Sequence, residues 1–224
     1  MGKTHSIEDF YRHKLKWMPE NLQKEIGHFN VFTLDDFSGP CAKPMPYSRK
    51  DFYKISLVKG RNRVHYATRT IEVEDNALLF ANPNIPYSWE AVGEQQSGFF
   101  CIFTESFFSQ FPHFRDYPVF KPDGQPVLIL TDEQRESLSP IFLKMFDEIK
   151  SDYTYKYDLL RNYVLELIHF AQKLQPAKTI HASSNAATRI SSLFMELLER
   201  QFPIESPFQQ VKFRSAIEYA KQLA

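Results

Sequence analysis

Catalytic or metal chemistry in this 224-residue chain would have to begin with its histidines, its cysteines and its clustered acids. His5, His13, His28, His65, His113, His169 and His181 are dispersed, whereas a metal centre needs imidazoles and carboxylates that converge. Only His65 falls in a run of strand character, where a lone histidine is expected to be a hydrogen-bonded structural or polar-contact residue rather than a ligand. Cys41 and Cys101 do not make a disulfide framework, and neither has a histidine near it in sequence. Cys101 lies in an apolar run and reads as a buried thiol, which fits a reducing compartment. Glu72, Glu74 and Asp75 border a turn, where solvated carboxylates belong. There is no Gly-x-Ser-x-Gly elbow and no phosphate-cradling loop. The residues therefore point to no catalytic group, no metal ligand and no cofactor, and the chain reads as a non-enzyme.

Binding asks less of a sequence: apolar and aromatic walls, with a few polar groups that fix orientation. Aromatic residues make up 15% of the chain and concentrate in its first part. On the run Phe52–Val58, Tyr53, Ile55 and Leu57 share one face, expected to point inward, and Lys54 and Ser56 share the other. Tyr87 and Trp89 share a face, as do Phe100 and Ile102. Arg49, just before its strand, has the planar fork of donors that suits an anionic or hydroxylated ligand. The candidate pocket is Arg49, Tyr53, His65, Tyr87, Trp89 and Phe100. Taken singly, each aromatic among them reads first as filling the barrel; it is as a group that they make a pocket.

The elements that must hold these residues change character near residue 130. Before it, Phe29–Leu34, Phe52–Val58, Arg63–Thr68, Ala77–Asn82 and Gly98–Thr104 are short runs rich in Val, Ile, Phe and Tyr, separated by turn residues. That spacing predicts an antiparallel barrel or sandwich. Val58 to Arg63 predicts a hairpin with Gly60 in its left-handed position. A helical turn is expected over Phe107–Phe111 and a last strand over Val127–Leu130. After residue 130 the apolar period is helical. One stripe runs Leu138, Ile141, Phe142, Met145, Phe146 and Ile149, with Thr131 and Gln134 as a capping box. A second runs from Leu160 to Leu174, and a third from Ile190 to Leu198. Each could pack on the strands or pair with a second subunit. Ser215 and Glu218 form another capping box before Ala216, Ile217, Ala220 and Leu223, which opens either a docked terminal helix or the start of a further domain.

Lys and Arg number 27, as do Asp and Glu, so the formal charge is zero, which argues against nucleic acid as a partner of this stretch. No apolar run approaches the roughly 20 residues of a membrane span. Met1–Lys16 is too polar for a signal peptide. Gly2 followed by Ser6 matches a myristoylation pattern, read here as an ordinary start residue. Cytoplasmic placement without membrane contact is expected.

The segment from Tyr47 to Leu57 resembles the opening of the cupin-like sensor barrel in AraC-family transcription regulators. The resemblance continues from Asn76 to Trp89, an apolar strand followed by a proline-rich turn and aromatics. The tail from Phe213 to Ala224 is similar to the start of the family's first helix-turn-helix, with Ala220 and Leu223 matching its "alanine, two residues, leucine" pattern.

This resemblance implies an α+β chain: a cupin-like antiparallel β-barrel over 1–130, helices for dimerisation and linkage over 131–202, and over 203–224 a linker and the first helix of a helix-turn-helix domain cut short at Ala224. It implies a small-molecule effector of unknown identity, a homodimer, and DNA contact only through the remainder of that C-terminal domain. In the family an antiparallel helix pair commonly joins the subunits, and Leu160, Tyr163, Val164, Leu167 and Ile168 are the residues expected to do so. Catalytic cupins usually carry two histidines two positions apart, and this chain has no such pair. A stand-alone cupin-like binding protein or enzyme is the alternative.

Overall fold

The computed structural model describes residues 5–16, 18–19, 27–35, 45–66, 69–83, 85–92, 96–111, 113–121, 124–174, 190, 193–194, 197–198, 201 and 210–223. They fall into two compact units, Met1–Leu174 and Gln175–Ala224.

The first unit begins with a single helical turn, α1 (Ile7–Phe10), which runs into a π-helical turn over Tyr11–Leu15. Ser6 and Asp9 cap α1 reciprocally. Among the described residues nine strands follow: β1 (Phe29–Thr33), β2 (Met45–Ser48), β3 (Tyr53–Lys59), β4 (Asn62–His65), β5 (Thr70–Val73), β6 (Asn76–Ala81), β7 (Tyr87–Ala91), β8 (Ser97–Phe103) and β9 (Val127–Ile129). They form a five-stranded sheet in the order β1-β8-β3-β6-β9 and a four-stranded sheet in the order β2-β7-β4-β5, with every pairing antiparallel. Short 3-10 turns over Glu105–Phe108, Phe114–Asp116 and Pro118–Phe120 link β8 to β9.

The α+β order of strands followed by helices is the one read from the sequence, but the strands do not close into a barrel. Among the described residues no ladder joins the edge strands of one sheet to those of the other. Nor do β3 and β4 form the hairpin expected around Gly60. Gly60 does take a positive φ of 122°, but the chain there leaves the five-stranded sheet and enters the other one. The consecutive strands that pair in the four-stranded sheet are β4 and β5, where Val64 faces Ile71. Gly98 permits the closest strand approach: its φ is 131°, and a Cβ there would sit 2.0 Å from the Leu57 carbonyl oxygen.

Two amphipathic helices complete the unit, α2 (Asp132–Ile149) and α3 (Lys156–Leu174). The Thr131–Gln134 capping box opens α2, with Thr131 Oγ1 accepting from Gln134 N at 3.2 Å and Gln134 Oε1 accepting from Thr131 N at 2.9 Å. The apolar stripes of both helices cover one face of the five-stranded sheet. Tyr53, Ile55, Leu57, Leu78, Phe80, Cys101 and Phe103 meet Leu138, Phe142, Met145, Leu160, Val164, Leu167 and Ile168 in one continuous cluster. Arg161 fastens α3 to the turn after β8. Its Nε donates to the Phe107 carbonyl at 2.5 Å, its guanidinium lies 4.8 Å from the Phe107 ring, and Asp158 accepts from Nη1.

Leu160, Val164, Leu167 and Ile168 have no exposed surface at all. A side chain without accessible area has none to offer a second subunit, so these four are core residues and not the interface the resemblance led us to expect. Of the five, only Tyr163 is half-buried. No described helix is long and apolar enough to cross a membrane.

In the second unit, α4 (Ala216–Leu223) starts at Ser215, whose Oγ accepts from Glu218 N at 3.4 Å. Tyr219 is buried against Phe194 and Phe213, and Gln201 donates to its hydroxyl. Ile190 and Leu193 of the third predicted stripe are half exposed, at 50% and 48%.

The two faces of the helical layer make a quantitative contrast. Leu167→Ala is expected to lower the unfolding free energy by about 2–5 kcal/mol, independent of protein concentration, because it opens a cavity in the subunit's own core. Leu143→Ala on the exposed side of α2 is expected to change it by no more than about 0.5 kcal/mol. Urea titrations at two protein concentrations check both.

Candidate functional site

Covering one face of the five-stranded sheet with helices leaves the other face for the four-stranded sheet. Side chains alternate along a strand, so β3 sends Lys54, Ser56 and Val58 into the space between sheets. β6 contributes Leu79 and Ala81, β4 Val64, and β7 Tyr87 and Trp89; Leu34 and Tyr66 complete the walls of a small cavity. Its volume is about 20 Å³, room for little more than a water molecule.

Large side chains fill the rest. Phe100, 1% exposed, lies under Lys54, whose Nζ is 4.1 Å from the ring centroid, and stacks on Phe32 at 5.0 Å. Phe10 of α1 packs edge-on against Phe100, Phe52 and Phe32. The indole Nε1 of Trp89 is buried with no hydrogen-bond partner among the described residues. Such a donor costs about 1–3 kcal/mol if it stays unmet, and Asn62 Oδ1, Asn76 Oδ1, Arg135 Nε and Gln172 Nε2 are in the same position.

A second cation stands behind Tyr87. Lys50 is only 7% exposed; its ammonium donates to Ser48 Oγ at 2.6 Å and to the Ser48 carbonyl at 3.2 Å, and lies 5.2 Å from the Tyr87 ring. Burial pulls its pKa down to about 8. Near α1, Tyr11 OH and His28 Nε2 share a hydrogen bond of 2.6 Å, and Asn30 Nδ2 donates to the same hydroxyl at 2.9 Å. Burial lowers the His28 pKa to about 4 and raises that of Tyr11. The Cys101 thiol, fully buried against the helical layer, is pushed up to about 12 by desolvation and is inert.

The six residues read as a pocket separate into two groups. Tyr87 and Trp89 line the cavity, and Phe100 floors the adjoining space. The other three lie elsewhere. Tyr53 is on the opposite face of β3, stacked 5.4 Å from Phe103 in the helical core, so the Tyr53, Ile55 and Leu57 face is not the inward one. His65 is on the outer face of the four-stranded sheet, because Val64 beside it points in. There its Nδ1 meets Thr70 Oγ1 at 3.0 Å and its Nε2 meets Glu90 Oε2 at 3.3 Å. Arg49 is exposed, while Ser48 and Lys50 on either side of it are buried. Lys54, Ser56, Lys50 and Tyr66 were not selected from the sequence. The sign that would have found the first two is parity: a lysine and a serine alternate with three large apolar residues on one strand, which places them together on whichever face that strand presents to a second layer.

Among the described residues, no group of three or more His, Cys, Asp or Glu side chains could hold a metal ion. Glu72 and Glu74 instead make surface ion pairs with Arg63 and Arg61, both at 3.3 Å.

Two titrations follow from these environments. The His28 pKa lies below its ordinary 6.5, so on acidification the unfolded chain takes the proton first. Stability from neutral His28 is whole above pH 6.5 and is lost as the pH falls toward 4. His28→Gln is expected to flatten the fall in unfolding free energy over that window by up to about 3 kcal/mol. Lys50 carries the reverse liability: below pH 8 its charge is held buried, and the strain eases as pH rises from 8 to 10.5. Lys50→Met is expected to stabilise the protein by about 1–3 kcal/mol at pH 7, the gain shrinking above pH 8. Denaturant titrations across pH check both.

No protein-family model matches the chain, and no curated protein matches it. Among solved structures the chain is similar to ToxT from Vibrio cholerae, at 12% identity and a TM-score of 0.39, over 88% of this chain and 70% of that one. It is also similar to the AraC-like transcriptional activator CuxR, at 11% identity and a TM-score of 0.38, over 79% of this chain and 59% of that one. The cupin domain of Schizosaccharomyces pombe Cnp3 is similar at 12% identity and a TM-score of 0.29, over 44% of this chain and 67% of that domain.

Proposed function

We propose that this chain is the effector-sensing part of an AraC-type transcription regulator, in which a small molecule held between the two sheets biases how the regulator engages DNA. The observation that carries the sensing role is the inter-sheet cavity. Its walls are apolar for the most part with a few polar groups, among them Trp89, whose Nε1 has no hydrogen-bond partner among the described residues. The regulatory role rests on the sequence resemblance, and DNA contact belongs to the helix-turn-helix whose beginning Phe213–Ala224 resembles. The protein acts in the cytoplasm by binding, not by turnover, and works as a homodimer. With the α3 stripe occupied in the core, a helical contact between subunits draws on outward residues such as Leu143 and Tyr163. An effector shifts the regulator only through its differential affinity for two arrangements, so filling the cavity permanently should separate sensing from DNA binding.

Chromatin immunoprecipitation of the tagged native protein in its host, paired with transcript measurement, tests this reading. Enrichment at a small set of promoters is expected. Ser56→Leu, which fills the cavity, should leave that enrichment in place while removing the response to growth conditions. A native protein that enriches no promoter would rule the regulator reading out.

A further inference from the structure

Lys50 is an amine that folding has prepared to react. It is 7% exposed, and no ion pair of the described residues includes it. Its ammonium instead meets the Ser48 hydroxyl at 2.6 Å, the Ser48 carbonyl at 3.2 Å and the Tyr87 ring at 5.2 Å, all of them neutral. The backbone on both sides of it is tied to the N-terminal segment. His5 N donates to the Arg49 carbonyl at 2.9 Å, and Asp51 N donates to the His5 carbonyl at 3.2 Å. The amine is thus held in place, short of a counter-ion, just past the end of the edge strand β2. Burial without a counter-charge favours the neutral form, and a neutral lysine amine is a nucleophile toward carbonyl carbon. With the pKa at about 8 rather than 10.5, the neutral fraction at pH 7 is about 300-fold that of an ordinary lysine.

We propose that Lys50 is a reversible covalent site for small, uncharged aldehydes. The ammonium first gives a proton to solvent. Its nitrogen lone pair attacks the aldehyde carbon as the carbonyl π pair moves to oxygen, and a proton passes from nitrogen to that oxygen to give the carbinolamine. The C–O bond then breaks, water leaves and an imine remains. One ammonium and one aldehyde give one imine, one water and one proton, with no change of oxidation state. The product is neutral where the reactant held a buried charge, so the burial that penalises the ammonium favours capture. The Ser48 hydroxyl, which now accepts from Nζ, can turn and donate to the imine nitrogen. An aldehyde that carries a carboxylate would leave its charge beside the Ser48 carbonyl oxygen and the electron-rich face of Tyr87, with the lysine charge gone. A nearly enclosed amine also admits a compact carbonyl ahead of a bulky one. Lys50 does not line the inter-sheet cavity, so this site stands independently of a ligand there.

Reductive alkylation tests the assignment. The full chain is treated at pH 7 with propanal and cyanoborohydride, natively and in urea, and the alkylation rate of each lysine is read by peptide mass spectrometry. In the native protein Lys50 is expected to react roughly tenfold or more faster than the exposed Lys150 and Lys173, hindered approach taking up part of its larger neutral fraction. In urea the three should react alike. Glyoxylate in place of propanal should give a smaller ratio of Lys50 to Lys150 alkylation. Without the reductant, the Lys50 adduct should disappear on dilution. A native Lys50 that reacts no faster than Lys150, or an advantage that survives in urea, overturns the proposal. An adduct that persists without reductant overturns the imine, and a larger ratio with glyoxylate overturns the uncharged class. None of these outcomes bears on the promoter enrichment that tests the regulator reading.

Discussion

Helices α2 and α3 lie on the face of the five-stranded sheet that carries Tyr53, Ile55 and Leu57, and this packing assigns the other residues of β3 to the space between the sheets. Strands are strictly two-sided, so once Leu57 meets the helical layer, Lys54 and Ser56 have to face the second sheet. The same argument runs through β8, where Cys101 and Phe103 go to the helices and Phe100 and Ile102 to the interior. It runs through β6, with Leu78 and Phe80 on one side and Leu79 and Ala81 on the other. The cavity is thus a by-product of where the helices settle. Its polar groups from β3, Lys54 and Ser56, are those that happen to share parity with Val58.

Much of the scaffold was legible because it rests on local rules. The runs around Ile55, Leu78 and Phe100 are strand-like in composition, and the box at Thr131 bonds as its spacing implies. At Ser215 only the serine half forms, and Glu218 accepts from Arg214 N instead. The face of each strand was not legible. Tyr53, Ile55 and Leu57 look like an interior face, and Lys54 with Ser56 looks like a wet one; only a sheet buried on both sides reverses that reading. His65 was misplaced for a related reason, since Val64 beside it points inward and a single step along a strand changes faces. The α3 stripe was legible as buried, but periodicity alone cannot say whether the covering surface is the same chain or another copy. Here it is the sheet.

Polar groups kept inside at a cost recur in this unit. Lys50, His28 and the Trp89 indole nitrogen are all buried, and the three environments are unlike. His28 is compensated by Tyr11 and Asn30, and it ties the N-terminal helical turns to β1. Lys50 is compensated only in part, by the Ser48 oxygens, and the Trp89 indole not at all. The contrast separates a group tied into the packing, His28, from two that the described residues leave short of partners.

The crossing of the chain at Gly60 belongs to a wider pattern. From β1 to β8 the chain passes from one sheet to the other at each connection except β4 to β5. Each sheet is therefore assembled from strands distant in sequence, and neither is an independent folding unit. Two layers stitched together this often cannot hinge apart like the covers of a book without breaking ladders in both. Opening the interior by rotamer exchange at the rim costs far less than unzipping either sheet.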